Sequence, residues 1–314
     1  MVTVNYSCMA KYLVTGGAGF IGSNLVSRLI NEKHNVIVLD NYSAGYKIER
    51  IHPEATYVVG DIRDHNVLNK VCKGVDGIFH LAANPSVQFS IESIEESHDI
   101  NVTGTMGVLS AAKKSGVKRV VFSSSCAVYG DQDIRRPLKE DDIKIPLSPY
   151  GSQKRMGTEY CHFFSTYQGI DTCSLAYFNV YGPFMDPQGA YAAVIGKFFA
   201  QWQQDTPLTV CGDGLYIRDF VHVTDVINAN IAAMEYSQPL GGEIFNIGTG
   251  KPVTVLDLAT IISDKITYVA ERPGDILYSC ANVTKVQKML GWSAQITLEE
   301  GIAMLKKDNT TSYV

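Results

Sequence analysis

The 314-residue chain has no apolar run approaching the roughly 20 residues needed to cross a bilayer, which argues against a membrane-spanning helix. Its opening residues, MVTVNYSC, lack the basic start and sustained apolar stretch of a secretion signal, so secretion is not expected. There is no CxxC pair. The seven cysteines (Cys8, Cys72, Cys126, Cys161, Cys173, Cys211 and Cys280) are scattered and odd in number, which predicts neither a disulfide framework nor a zinc site. Basic residues are in deficit, 27 Lys and Arg against 32 Asp and Glu, and the formal net charge of −5 disfavours a broad surface for nucleic acid or anionic lipid. Any anionic ligand therefore needs a local site. No segment recurs at a fixed period, which excludes a solenoid or propeller. These absences predict a cytoplasmic globular protein with no metal and no nucleic-acid or membrane partner.

What is present is a rhythm. Short apolar runs (Tyr12 to Thr15, Val36 to Asp40, Tyr57 to Gly60, Gly77 to Leu81, Val120 to Ser124, Cys173 to Phe178) alternate with helical stretches such as Ser23 to Glu32, Asn101 to Ser115 and Ser152 to Gln168. Apolar runs closed by Gly, Asp, Ser or Asn and separated by helices are the signature of parallel βα units. The expected fold class is α/β, a Rossmann-type doubly wound parallel sheet. After about Gly182 the rhythm gives way to Pro/Gly-rich segments (YGPFMDPQG, CGDG, IGTGKPV, ERPGD) and short helices near Val255 to Lys265, Thr284 to Leu290 and Leu298 to Leu305. This predicts a dinucleotide-binding domain over 9–180, with sheet and helix residues returning from later segments, and a smaller α/β substrate lobe over 181–314. Residues 1–8 precede Met9 and the first strand and carry no assigned function.

The first run passes directly into Gly16-Gly17-Ala18-Gly19-Phe20-Ile21-Gly22 and a helix. Glycines at 16, 19 and 22 suit a tight turn that brings backbone N–H groups at a helix start against a pyrophosphate, with Phe20 and Ile21 entering the helix. The second run ends in Asp40, where a carboxylate can bind ribose hydroxyls, and Asn41, Tyr42 and Ser43 offer no cation for a 2′-phosphate. The cofactor expected is NAD rather than NADP. Each feature also has a plain structural use, glycines for packing and Asp40 as a turn residue, and the assignment rests on their conjunction.

Tyr150 and Lys154 form a YxxxK pair on one face of a predicted helix. A phenol titrates near 10, and a neighbouring ammonium together with the positive nicotinamide ring stabilises its phenolate, so Tyr150 can exchange a proton with a sugar hydroxyl. Ser123-Ser124-Ser125 closes the fifth run, on the carboxyl edge where doubly wound sheets bind ligands, and a hydroxyl there can bridge substrate and Tyr150. An exposed helix face and a strand-capping serine cluster are the bland alternatives.

The motifs TGGAGFIG, GDIRD, HLAA, NVTGT, SSSCAVYG, SPYGSQK, YFNVYGP, RDFVHVTDV, FNIGTG and ERPGD together resemble those of the extended short-chain dehydrogenase/reductases, over nearly the whole chain from Lys11. That family includes UDP-glucose and UDP-N-acetylglucosamine 4-epimerases, nucleotide-sugar dehydratases and UDP-glucuronate decarboxylase. The resemblance implies that Asp61, Ile62, Leu81, Ala82, Ala83, Asn101, Ser123, Tyr177 and Val180 join Tyr150 and Lys154 in holding NAD, and that Ser125, Tyr150 and Lys154 are catalytic. It also implies a substrate end built from Ser86, Ser125, Asn179, Val194, Arg218, Arg272, Asp275 and Ser279, with the arginines gripping the diphosphate. Arg218 and Arg272 can also be read as ordinary ion-pair residues beside Asp219 and Asp275.

Sugar 4,6-dehydratases and decarboxylases of this family resemble one another in placing Thr or Ser before an acidic residue, typically Asp-Glu or Ser-Glu, ahead of VYG. Here Cys126 and Ala127 stand there, and Ala127 supplies neither acid nor base, which favours epimerisation at C4. Ser279 occupies a position where bulk limits a C2 acetamido group, so UDP-GlcNAc and UDP-GalNAc are expected alongside or ahead of UDP-glucose and UDP-galactose. Cys211, where relatives carry an aromatic residue, and Gly196, where they carry proline, both touch the presumed uridine pocket, and dTDP, CDP or GDP carriers stay open. So do a dehydratase using Cys126, a keto-sugar reductase and a non-enzymatic dinucleotide sensor. Relatives dimerise through the helices holding Asn101 to Ser115 and Ser152 to Gln168, which implies a homodimer; Met106, Leu109, Phe163 and Phe164 belong either to that interface or to the core.

Overall fold

The structure, a computed structural model, describes residues 9–131, 135–186, 194–271 and 276–307. Its first half comprises β1 (Lys11–Thr15), α1 (Phe20–Asn31), β2 (Asn35–Asp40), β3 (Thr56–Val59), α2 (His65–Val71), β4 (Gly77–His80), α3 (Val87–Glu92), α4 (Ile94–His98), α5 (Gly104–Lys114), β5 (Arg119–Ser125), α6 (Pro149–Gln168) and β6 (Asp171–Tyr177). Strands such as KYLVT and GIFH read as unbroken apolar runs because both faces of a parallel sheet are covered.

The later half comprises β7 (Asn179–Tyr181), α7 (Val194–Gln203), β8 (Leu208–Cys211), β9 (Ile217–Arg218), β10 (Phe220–His222), α8 (Val223–Glu235), β11 (Glu243–Ile247), β12 (Val253–Thr254), α9 (Val255–Ile262), β13 (Ile266–Val269), α10 (Thr284–Leu290) and α11 (Leu298–Lys307). Seven strands form one parallel sheet in the order β11-β6-β5-β4-β1-β2-β3. The chain builds β1, β2 and β3 in one direction, then returns to lay β4 on the other side of β1. That reversal opens a crevice at the carboxyl ends of β1 and β4, where ligands of such sheets bind.

Successive side chains of a strand point to opposite faces, and two cores result. Val14, Val121 and Phe245 meet α1 and α8 on one side through Leu25, Leu29, Val226 and Ala233. On the other side Leu13, Ile78 and Phe122 meet α2, α5 and α6 through Leu68, Val108, Leu109 and Phe164. A third core fills the lobe, with Phe198 and Phe199 of α7 against Leu208, Leu258 and Ile302. Phe20, at the start of α1, touches both the first core and the lobe core.

The helix expected over Asn101 to Ser115 has a different start. One wide π turn, Asp99–Thr103, joins α4 to α5 and buries Asn101 and Val102. Such turns interrupt helices where a side chain must be re-aimed. Long-range pieces complete the sheet: α8 packs on α1, and β11 adds itself to the outer edge of β6. Among the described residues no helix is long and apolar enough to cross a membrane.

Candidate active site

The turn after β1 is built around glycine. Gly16 has φ +72°, and a Cβ there would stand 2.7 Å from the Ala82 backbone nitrogen, in the loop after β4. At Gly22 a Cβ would meet the Gly16 carbonyl oxygen at 2.1 Å. The chain therefore crosses itself at distances only glycine tolerates. Gly19 is the N-cap of α1 and has no side chain to cap the helix, and its first turn holds no acidic residue. First-turn N–H groups of an uncapped helix suit an anion. Asp40 closes the turn from β2: one carboxylate oxygen accepts from the Ala18 N–H at 2.9 Å, the other from the Tyr42 N–H at 2.8 Å.

Beside this turn, β5 ends at Ser125 and the helix α6 begins. Ser148 caps α6 by accepting from the Gly151 N–H, and Pro149 occupies the first turn. Lys154 is 4% exposed and donates to the Ser123 carbonyl at 2.8 Å. Its ammonium lies 5.0 Å from the Phe122 ring centre and 6.0 Å from that of Tyr150. Burial lowers its pKa to about 8. The Tyr150 N–H donates to Ser90 Oγ on α3, and Ser125 Oγ accepts from the Ala127 N–H, so both residues sit on fixed backbone. The Tyr150 ring and the Lys154 ammonium are thus neighbours on α6, and the ammonium is bound to the end of β5 that Ser125 closes, at the carboxyl edge of the sheet.

The sequence pattern of the NAD dependent epimerase/dehydratase family matches residues 12–248. The chain belongs to that family. It is 39% identical to a putative UDP-glucose 4-epimerase of Methanocaldococcus jannaschii, over 95% of this chain and 99% of that one. Among solved structures, UDP-glucose 4-epimerase of Thermotoga maritima with UDP-glucose superposes with a TM-score of 0.88 at 37% identity, covering 93% of this chain and 96% of that one. UDP-N-acetylglucosamine 4-epimerase of Methanobrevibacter ruminantium, in complex with UDP-N-acetylmuramic acid, also gives 0.88, at 34% identity with 96% and 99% covered. The cofactor of the family is NAD, and the uncapped start of α1 with the Asp40 carboxylate fits a pyrophosphate and a ribose.

The remaining epimerase/dehydratase positions fall into groups. Leu81, Ala82 and Ala83 form the loop facing Gly16, while Ile21 and Val180 lie partly buried against the first core. Asn41 and Ser43 are exposed beyond β2, and Asn41 donates to Asp61 at 3.1 Å. Arg63 holds Asp61 through two side-chain hydrogen bonds and lowers its pKa to about 2. The Ile62 side chain is buried in the second core against Gly104. The hydroxyl of Tyr177 donates to Asn230 on α8, and burial pushes its pKa up.

Of the residues expected to bind substrate, Asn179 donates from both backbone and side chain to the Asp219 carbonyl. Arg218 donates to the carbonyls of Ile217 and Ile276, tying the strand segment after residue 275 to β9. Ser279 donates its N–H to the Ile217 carbonyl, and its hydroxyl meets the Cys126 thiol, so these two positions face each other. Burial pushes the Cys126 thiol up. Val194 opens α7 and packs on the lobe core, whereas Ser86 is buried as the N-cap of α3. Arg272 and Asp275 lie outside the described residues.

Asp219, read from the sequence only as a partner for Arg218, is fully buried and has another task. Its oxygens accept from the backbone of Thr249, Gly250 and Ala281 and from the Thr249 hydroxyl. It thereby pins the loop after β11 to the Cys280-Ala281 segment. The signal available in the sequence was an acid placed between Arg218 and the short apolar pair Phe220-Val221. Among the described residues no group of three or more His, Cys, Asp or Glu side chains could hold a metal ion.

Proposed function

We propose that the protein is an NAD-dependent UDP-sugar 4-epimerase in which Ser125, Tyr150 and Lys154 act at the C4 hydroxyl. The observation that carries this is the buried Lys154 ammonium on the Ser123 carbonyl, one helical turn from Tyr150 and beside Ser125. Lys154 stabilises the Tyr150 phenolate, and Ser125 holds the sugar oxygen against it. Tyr150 takes the proton of the C4 hydroxyl and, once the 4-keto sugar has turned over so that C4 is reduced on its opposite face, returns it to the C4 oxygen. Bound NAD supplies the hydride acceptor and donor at C4. The named activities of the relatives support the same reaction.

Elimination is disfavoured by the residues themselves. Of the two residues before VYG, Ala127 has no titratable group and Cys126 supplies one at best, its thiol pushed up by burial. For the sugar, the short side chain of Ser279, hydrogen-bonded to Cys126, supports UDP-GlcNAc and UDP-GalNAc as substrates with or ahead of the plain hexoses. Arg218 and Arg272 are assigned to the diphosphate, and Asn179, Val194 and Asp275 to the rest of the substrate site. A homodimer through α5 and α6 completes the reading.

The test is proton NMR of the protein with UDP-GlcNAc and, separately, UDP-glucose, without added reductant. A mixture of C4 epimers is the expected result. Keto-hydrate, methyl or vinyl signals would replace this reading with a dehydratase.

A further inference from the structure

His80 ends β4 and pairs in register with Thr15 at the end of β1. It is 1% exposed, and both ring nitrogens are engaged: Nδ1 lies 2.7 Å from Thr15 Oγ1, and Nε2 lies 3.0 Å from Thr105 Oγ1. The proton positions follow from what each partner can do. Thr105 Oγ1 is 2.7 Å from the Asn101 carbonyl oxygen, which only accepts, so the single threonine proton is committed there. The proton between Thr105 and His80 must then belong to Nε2. Burial, with the Lys154 ammonium nearby, holds the imidazole neutral; with its one N–H at Nε2, Nδ1 accepts the Thr15 hydroxyl proton, and Thr15 Oγ1 accepts the Ala82 N–H at 3.3 Å. With the proton on Nδ1 instead, Nε2 and Thr105 Oγ1 would face each other as two acceptors.

The chain of donors connects two parts of the site. At one end Ala82 borders Gly16, where the glycine turn begins. At the other end Asn101 sits in the π turn, and its side-chain amide donates to Gln153 Oε1 at 2.7 Å and to the Asn84 carbonyl at 2.9 Å. Gln153 immediately precedes Lys154 on α6. The His80 ring also lies 5.6 Å from the Phe122 ring, against which the Lys154 ammonium rests.

The geometry points to His80 as a positioning residue: a neutral imidazole protonated on Nε2 that fixes the glycine turn relative to the helix carrying Tyr150 and Lys154. Its kinetic consequence rests on the epimerase reading; its tautomer and its effect on NAD retention do not. Removing the ring nitrogens leaves Thr15 and Thr105 without their shared partner and lets the two halves of the site shift. Displacements of about 1 Å in such assemblies reduce turnover on the order of 10²-fold.

The test begins with ¹⁵N-labelled histidine in the NAD-loaded protein, the buried ring being assigned by its loss in His80→Gln or by its displacement in Thr105→Val. The expected ring is neutral at pH 7, with its pyrrole-type nitrogen at Nε2; a proton on Nδ1, or a charged ring, overturns the inference. His80→Phe, which keeps the ring against Phe122, is expected to lower kcat about 10- to 100-fold with KM little changed, and to speed NAD release. Near-normal kcat and NAD retention would refute the positioning role. Should His80→Phe fail to fold, Thr105→Val breaks the same chain without touching the ring and carries the same two outcomes. The tautomer and NAD release are read without any sugar, so a wrong substrate assignment leaves them intact.

Discussion

Lys154 is held where burial and charge oppose each other. Desolvation lowers its pKa from 10.5 to about 8, while the Ser123 carbonyl and the Phe122 ring face the ammonium. Because the folded value lies below the unfolded one, Lys154 opposes folding at neutral pH, and that opposition fades as pH rises from about 8 towards 10.5. Activity should follow the opposite course: kcat falls as pH rises through about 8, where the ammonium is lost. Lys154→Arg, less active but always charged, should lack that limb in its pH–rate profile. Tyr150→Phe removes the proton-transfer group and should lower kcat about 10²- to 10⁴-fold without a matching loss of NAD binding. Ser279→Tyr should abolish turnover of the acetamido sugars while sparing UDP-glucose; equal loss on both would show that position 279 does not sense the C2 substituent.

At the scale of elements, the large sheet owes its edge to Arg119. From the start of β5 it donates to the carbonyls of Ala233, Met234 and Tyr236, where α8 ends, and to that of Gln238. Its Nε pairs with Asp171 at 2.6 Å, largely shielded from solvent, and Asp171 in turn accepts from the N–H groups of Leu240 and Gly241. Arg119→Met keeps the aliphatic length but strands Asp171 and the helix-end carbonyls. A loss of about 3–5 kcal/mol in urea unfolding is expected. Of the six strands anticipated in the first half, the inner ones were legible because strands buried on both faces are nearly uninterrupted apolar runs, whereas β3, half-exposed at the sheet edge, showed only through the β-branched and aromatic residues of TYVV. The two- and three-residue pairings β7–β10 and β9–β12 were not, since so short a segment has no period. The same limit hid His80 and Asp219: a polar residue at either end of a short apolar run looks like punctuation until its spatial neighbours are known. Thr15 opposite His80 is a fact of register, which spacing along the chain does not contain.

For the whole molecule, α5 and α6 present a face the core leaves uncovered. Leu109 and Phe164, grouped in the sequence with Met106 and Phe163, turn inward, whereas Met106, Met156, Phe163 and Tyr167 are exposed. Positions 156, 163 and 167 recur at the spacing of a helix-packing seam, which suits a second copy of the chain. Phe163→Glu should give a monomer by light scattering, with thermal unfolding otherwise cooperative; an unchanged mass would remove this face from the interface.

The path of the chain through the sheet also governs how the protein is made. A ribosome that has released the chain as far as Tyr181 has delivered the glycine turn, Ser125, Tyr150 and Lys154, yet the outer edge of β6 has no partner until residues 243–247 emerge as β11. A nascent chain at that stage exposes a seven-residue strand whose N–H and C=O groups are open to any other strand nearby. Truncation at Tyr181 should therefore yield an aggregating fragment rather than a smaller folded protein, and slowed translation of residues 182–242 lengthens the interval in which chaperones must shield that edge.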